Sequence, residues 1–283
     1  MTSQIKTALL LGLMTALIIF LGGALGGRAG LVIAFGLALV MNIGSYWYSD
    51  KIVLSMYRAR ELDAADAPGL HRMVEELAHN AGLPKPRIYL VPGDAPNAFA
   101  TGRDPHHAAV AVTEGILHLV SPEELRGVLS HEMGHIKNRD ILIQTIAATM
   151  GGAIMMIANM LQWGAIFGMG SSNDDEGGIG GFGAILLAIL APIAASLIQM
   201  AISRSREYLA DATGAELSHT PLALASALGK LDSYARGHRV QANPATAHMF
   251  IVNPFSGHSM GNLFSTHPPT EDRIRRLQQM AGR

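Results

Sequence analysis

The chain has no cysteine among its 283 residues and few charged side chains. The lack of cysteine excludes disulfides, thiolate metal ligands and a cysteine nucleophile, so any metal must be held by His, Asp or Glu. Charged residues make up 15% of the chain, where about 25% is typical of soluble proteins. The formal net charge is −1 and no basic stripe is present, which argues against a nucleic-acid partner.

The chain contains long runs of apolar residues that have no charged side chain. Hydrophobic residues make up 49% of the chain. The first two runs, Thr7–Leu25 and Gly30–Trp47, approach the roughly 20 residues that a helix needs to cross a bilayer. Aromatic residues end the second run, as they do at membrane interfaces. The runs predict a transmembrane hairpin over residues 1–50, and a cleaved signal peptide is the alternative interpretation of the first run.

Two further uncharged runs, Ile141–Phe167 and Gly177–Ser203, predict a second transmembrane hairpin over residues 141–203. A buried hydrophobic hairpin is the alternative. The glycine-rich loop between the runs is acidic and lacks Lys and Arg, whereas basic residues lie beyond the outer ends of the runs. By the positive-inside rule, we expect a multi-pass membrane protein with both termini and the soluble segments in the cytoplasm.

Two segments of ordinary soluble composition, 51–140 and 204–283, precede and follow the second hairpin, and we predict that they assemble one cytoplasmic α+β domain. The predicted fold class is a mostly α membrane protein with four transmembrane helices and a cytoplasmic domain that has a small sheet. Ser121-Pro122-Glu123-Glu124 predicts a helix start, because Ser and Glu three residues apart form a capping box. The other predicted helices cover Pro68–Gly82, a segment that Thr220 caps and Pro221 starts, and Thr270–Met280. Strands are predicted over Arg87–Val91, 96–102 and Ala108–Thr113, and an irregular stretch over Arg236–Thr266.

The helix that starts after Ser121 carries the sequence His131-Glu132-Met133-Gly134-His135. Helical residues four apart lie about 40° apart on one face, so the two imidazoles can converge on one tetrahedral Zn²⁺. Glu132 then lies beside the metal, where it can take a proton from an attacking water. Gly134 inside the helix predicts close approach by another element. The alternative is an amphipathic helix that carries solvated histidines.

A catalytic zinc needs a third protein ligand and an open position. Glu207 and Asp211 are four residues apart on one predicted helical face. One of these carboxylates can bind the metal while the other orients a histidine ligand. The second hairpin would return this segment to the side of His131 and His135, so we expect the metal near the cytoplasmic membrane surface. The alternative is a surface helix in which Glu207 pairs with the neighbouring arginines.

Three motifs stand in order along the chain: His131-Glu132-Met133-Gly134-His135, Arg206-Glu207-Tyr208-Leu209-Ala210-Asp211 and Thr266-His267-Pro268-Pro269-Thr270. Together they resemble the HtpX-type membrane zinc metalloproteases, a bacterial heat-shock family related to the CAAX prenyl proteases, and the similarity covers nearly the whole chain. The resemblance implies a zincin-like (Glu-zincin) protease domain and endoproteolysis of misfolded or damaged membrane proteins at the inner membrane. It implies one Zn²⁺ per subunit, held by His131, His135 and Glu207, with Glu132 as catalytic base and Asp211 orienting a histidine.

His267 and Asn97 lie in segments that resemble family motifs, so they are candidates for stabilising the oxyanion of the tetrahedral intermediate, and Asn97 is also a candidate substrate contact. Alternatively, His267 caps the last predicted helix and Asn97 is a turn residue. Among the remaining histidines, only His248 is considered for the lining of the cleft. The strands predicted around Asn97 and over Ala108–Thr113 offer an edge on which a peptide could pair.

Two other functions fit the same residues. The first is a dedicated processing protease of the prenyl-protease type, against which four predicted spans argue because such an enzyme needs a larger membrane chamber. The second is a membrane scaffold or chaperone with a structural metal. Two His and one Glu leave a coordination position open, which favours an enzyme over a closed structural site. We therefore expect polypeptide substrates and the lipid bilayer as partners.

Overall fold

The structure, a computed structural model, is mostly helical and has one small mixed sheet, as predicted. The fourth predicted span and most of the third lie outside the described residues, as do the loop between them and part of the irregular stretch. The described residues are 3–152, 204–238, 240, 242, 244–254 and 267–282.

Helix α1 (Ser3–Met56) is a helical hairpin, because Gly27 has φ 56° and ψ −138° in its middle, a conformation that favours glycine. The two arms pack together, since a Cβ on Gly22 would overlap the opposite arm and Asn42 Nδ2 donates to Thr15 Oγ1 at 2.6 Å. The arm Gly27–Met56 is 30 residues long, and among the described residues it is the one helix that is long and apolar enough to cross a membrane. The predicted crossing of a membrane by this helical hairpin stays a prediction.

The sheet has the strand order β1-β2-β4-β3. Strands β2 (Arg87–Val91) and β4 (Ala108–Thr113) match the predicted bounds and pair in parallel. Strand β3 (Ala98–Gly102) pairs antiparallel with β4 and lies at one edge of the described sheet. Strand β1 (Arg60–Glu61) was not predicted, because two residues carry no alternation pattern. All residues of β3 and β4 are buried, so the sheet forms one wall of the core.

Local signals set the helix ends in the soluble segments. Helix α2 (Pro68–Ala81) stops at Gly82, whose φ of 68° ends it as predicted. Helix α3 (Glu114–Leu119) was missed, because six residues are too few to show a helical period. Helix α4 (Pro122–Lys137) starts with the predicted capping box of Ser121 and Glu124.

Four more helices follow in the part of the chain that the structure describes, and the predicted cap of one of them is wrong. The helix after Thr220 forms, but Thr220 makes no capping bond, because its hydroxyl points back to the Ser218 carbonyl at 3.4 Å. A 3₁₀ helix over Pro244–Met249 interrupts the stretch that was predicted to be irregular. The helices are α5 (Ile141–Gly152), α6 (Arg204–Ser218), α7 (Pro221–Gly237) and α8 (Thr270–Ala281).

Helices α4 and α6 cross closely because glycines line their contact. A Cβ on Gly134 would lie 2.9 Å from the Ala210 carbonyl oxygen, and one on Gly214 would lie 2.8 Å from the backbone nitrogen of His131. Cβ atoms do not approach backbone atoms this closely in proteins, so both positions require glycine. The close approach predicted at Gly134 is confirmed, and it brings α6 against the helix face that carries His131.

Candidate metal centre

Three buried side chains meet where α4 crosses α6. His131, His135 and Glu207 each offer a ligand atom, and these atoms all lie within 4.8 Å of one another. The two Nε2 atoms are 3.1 Å apart, and the Glu207 carboxylate oxygens lie 3.7 Å from His131 Nε2 and 3.6 Å from His135 Nε2. Ligands bound to one tetrahedral Zn²⁺ lie about 3.3 Å apart. The spacing and the donor types therefore fit a single divalent metal.

Each histidine of the cluster is held by a carboxylate on its other ring nitrogen. Asp211 Oδ1 lies 2.9 Å from His131 Nδ1, and Asp140 Oδ2 lies 3.2 Å from His135 Nδ1. An ionised carboxylate only accepts hydrogen bonds, so each Nδ1 carries the proton and each Nε2 is left as a metal ligand. Asp211 was expected to act in this way, whereas Asp140 was missed. An Asp directly after the end of the histidine-bearing helix was the available signal.

Arg273 on α8 holds Asp211 in turn and was not singled out from the sequence. Its side chain is 1% exposed and donates to both Asp211 oxygens, at 2.8 and 2.7 Å, and to the Ile251 carbonyl at 2.6 Å. Burial alone would raise the pKa of Asp211, but the charge and hydrogen bonds of Arg273 lower it to about 2. Asp211 is therefore ionised at neutral pH, as a partner of His131 must be. A basic residue on the apolar face of an amphipathic helix was the signal.

The cluster carries an excess of negative charge. Burial would raise the pKa of Glu207, but nearby His267, His135 and Arg273 hold it well below its usual range. Burial would lower the pKa of His135, but Asp140, Glu207 and Glu132 raise it to about 9. The His135 shift shows that the neighbouring carboxylates stabilise positive charge in this buried site, which suits a divalent cation.

Glu132 lies between the histidine helix and the edge strand. Its Oε2 accepts a hydrogen bond from the Ala100 N–H at 2.8 Å, and its side chain is buried. Burial raises the pKa of Glu132 against the opposing effect of the two histidines. A carboxyl whose pKa is moved toward neutrality is suited to exchange protons with a reactant.

The outer edge of β3 is partly occupied. Ala100 N–H is bonded to Glu132, and Gly102 N–H donates to Thr145 Oγ1 at 3.2 Å. Both groups therefore face away from β4. A peptide that adds to this edge, as the strand prediction allowed, must replace these contacts.

A small cavity adjoins the cluster. Its volume is about 10 Å³, which is near the minimum that holds one water molecule. Glu132, His267 and the two ligand histidines line it, together with His248 and the residues that follow His248. The arrangement thus brings a candidate base, three candidate metal ligands and room for one small reactant together.

His267 and Asn97 have different places. His267 is buried, lines the cavity and has its Nδ1 3.3 Å from Glu207 Oε2, so its ring is directed at the cluster. Asn97 is also buried but is not among the residues that line the cavity. Its Nδ2 donates to the Met249 carbonyl and its Oδ1 accepts from Ile251 N–H, both at 3.1 Å. The structure therefore gives Asn97 a role in fixing residues 249–251 and gives its predicted contact with substrate or oxyanion no support.

The paired histidines, the glutamate from a second helix and the buried carboxyl beside them define a metal-dependent hydrolase of the His-Glu-x-x-His class. Residues 64–281 match the profile of peptidase family M48. The chain belongs to this family and is a metalloprotease, which confirms the resemblance drawn from the three motifs.

Similar proteins extend over the whole chain. It is 60% identical over 282 residues to the protease HtpX homolog of Syntrophobacter fumaroxidans, covering 99% of this chain and 100% of that one. The protease HtpX homolog of Persephonella marina is 61% identical over 286 residues, which cover 99% and 98%. Superposition on the crystal structure of S. mikatae Ste24p gives a TM-score of 0.48 and a sequence identity of 19%, and the match covers 97% of this chain and 65% of that one. That similarity is too low to carry a conclusion.

Proposed function

We propose that this chain is an integral-membrane, zinc-dependent endopeptidase that cleaves misfolded or damaged membrane proteins at the cytoplasmic face of the cell membrane. The observation that carries the proposal is the convergence of His131, His135 and Glu207 beside Glu132 in a buried cavity. Relatives that cover the whole chain are named protease HtpX homologs, which supports a role in protein quality control under stress.

His131, His135 and Glu207 would hold the zinc, and the metal when bound would polarise the scissile carbonyl and acidify water. Asp211 and Asp140 keep the two imidazoles in the tautomer that leaves Nε2 free. Two imidazoles and one carboxylate leave a coordination position open, as a catalytic site requires.

Glu132 is the general base of the proposed reaction. It takes a proton from the attacking water and delivers it to the leaving amine, and the Ala100 N–H orients its carboxylate. His267 is directed into the same cavity. We assign it to the stabilisation of the oxyanion that forms on the scissile carbonyl.

Exposed apolar side chains on α1 support a membrane location. Val32, Ile33 and Val40 are 69%, 71% and 69% exposed, and such a surface is unfavourable in water. Trp47 and Tyr48 are exposed toward the end of this region, as aromatic residues are at a membrane interface. We propose that residues 1–50 and 141–203 form two transmembrane hairpins, with both termini in the cytoplasm.

The protease domain is then assembled from residues 51–140 and 204–283. Arg103, in the loop after β3, lies over the Trp47 ring at 4.8 Å. Since Trp47 is a proposed interfacial residue, this contact supports a position of the sheet edge close to the membrane surface. Polypeptides that are anchored in the bilayer would meet the metal centre there.

The test compares the detergent-solubilised, zinc-loaded chain with Glu132→Ala and Glu207→Ala on unfolded casein. We expect cleavage by the unchanged chain, none by Glu132→Ala although zinc stays bound, and a marked loss of zinc from Glu207→Ala. Glu216→Ala, an exposed change on the same helix as Glu207, is the matched control and should keep both properties. Equal cleavage by the chain and Glu132→Ala would refute the mechanism.

A further inference from the structure

Residues 246–251 are here called the strap, and four of them, His248 to Ile251, line the cavity. The strap is anchored by contacts from three separate elements. Tyr57 Oη donates to Thr246 Oγ1 at 2.6 Å, Asn97 bonds to the backbone of residues 249 and 251, and Arg273 donates to the Ile251 carbonyl. A segment held at so many points presents its side chains in a fixed orientation.

The strap presents His248 to the cavity. The side chain is 2% exposed and lines the cavity next to the metal cluster. Its Nε2 lies 3.0 Å from the Gln144 carbonyl oxygen. Its Nδ1 is buried and has no hydrogen-bond partner among the residues that the structure describes.

The Gln144 contact determines which ring nitrogen of His248 carries the proton. A carbonyl oxygen only accepts hydrogen bonds, so Nε2 must be the donor and Nδ1 keeps its lone pair. Burial lowers the pKa of His248 to about 4, so the ring is neutral at pH 7. The result is a fixed, neutral acceptor in the wall of the cavity.

His248 is not explained by the metal or by the fold. The metal cluster of mutually close ligand atoms consists of His131, His135 and Glu207, without His248. The strap is already held by Tyr57, Asn97 and Arg273. A buried acceptor without a partner is destabilising, and such groups in native proteins call for an explanation, which a functional role can supply.

We propose that Nδ1 of His248 accepts a hydrogen bond from a main-chain N–H of the polypeptide substrate. A polypeptide offers an N–H at almost every residue, so this contact positions the backbone without selecting a side chain. His248 is then a substrate-positioning residue of the site. The inference rests on the proposed peptidase function and adds a residue to which that function assigned no role.

The test measures peptide binding in the zinc-loaded Glu132→Ala background, in which bound peptide is not cleaved. A fluorescent peptide is compared with analogues in which one amide at a time is replaced by an ester, which removes a single N–H. We expect one ester to weaken binding about fivefold, the usual effect of one hydrogen bond. Adding His248→Gln, which keeps the donor to Gln144 but lacks the Nδ1 acceptor, should abolish that difference.

Controls separate this contact from a structural role. His106→Gln, an exposed change, should leave every ester effect in place, and zinc content and thermal midpoints report on folding. His248→Asn keeps an acceptor near the Nδ1 position, so the ester should still weaken binding to this variant. If His248→Gln does not fold, the test relies on His248→Asn. An ester effect that is the same with and without His248→Gln, or that His248→Asn abolishes, would overturn the proposal. Failure of the unchanged chain to cleave casein would instead refute the peptidase function.

Discussion

Replacing Arg273 by Met tests whether this buried arginine supports the metal centre from behind. The change keeps an unbranched, mostly apolar stem but removes the guanidinium, so the Asp211 carboxylate stays buried without its bidentate partner. Removing one member of a buried ion pair costs about 3–5 kcal/mol, and the Ile251 carbonyl loses its donor as well. We expect a loss of about 4 kcal/mol, a large share of the roughly 5–15 kcal/mol that stabilises a typical domain.

The double variant Arg273→Met/Asp211→Leu separates stability from metal binding. It removes both charges, so most of the lost stability should return. Zinc affinity should fall in this double variant, because Asp211→Leu removes the carboxylate from His131 Nδ1. Loss of such a partner usually weakens metal binding about 10–100-fold.

Urea unfolding of the zinc-free protein in mild detergent, followed by circular dichroism, gives the stabilities, and chelator competition gives the zinc affinities. Arg275→Met is the matched control, because Arg275 lies on the same helix and its ion pair with Asp272 is at the surface. It should change stability by no more than about 0.5 kcal/mol. The reasoning fails if Arg273→Met unfolds like the unchanged chain, or if the double variant is less stable than Arg273→Met alone.

Three further changes test the remaining geometry. Asp140→Asn should lower zinc affinity about 10–100-fold, measured by chelator competition, and unchanged affinity would remove Asp140 from the site. Gly134→Ala should destabilise the chain and lower its zinc content, because the added Cβ would lie 2.9 Å from the Ala210 oxygen, whereas Gly69→Ala, with nothing within 4 Å, should do neither. The pKa of Asp211 is depressed from 3.8 to about 2, so its contribution of about 2 kcal/mol is present above pH 3.8 and is lost as the pH falls to 2. In urea unfolding of the zinc-free protein, the stability of Asp211→Asn should fall less between pH 3.8 and 2 than that of the unchanged chain. Identical dependence of stability on pH in the two proteins would contradict the assignment.

The features that the sequence predicted well depend on neighbours along the chain. The capping box at Ser121 forms because its two hydrogen bonds join residues three apart, and α2 stops at Gly82 because one residue supplies the left-handed turn. Spacing of four on a helix likewise predicted that His131 and His135 share a face. These signals need no knowledge of tertiary structure.

The features that were missed depend on contacts between distant segments. Arg273 reaches Asp211 across 62 positions of the chain, and Asn97 reaches Ile251 across 154. Nothing in the segment around Asn97 indicates which backbone groups its amide will contact. The sequence is therefore equally compatible with an Asn97 that donates to the substrate and with one that holds the strap in place. Asp140 is the exception, because it lies five residues after His135 and its position at the helix end indicated the contact.

The groups around the metal cluster come from segments that are far apart along the chain. His131 and His135 occur early, Glu207 follows only after residues 141–203, and Arg273 comes from a helix further along the chain. A partly synthesised chain that ends before α8 therefore lacks the arginine that holds Asp211 and the strap. We infer that the growing polypeptide cannot cleave its neighbours during translation, since its metal centre is completed only after the intervening segment has been made and the later helix has docked.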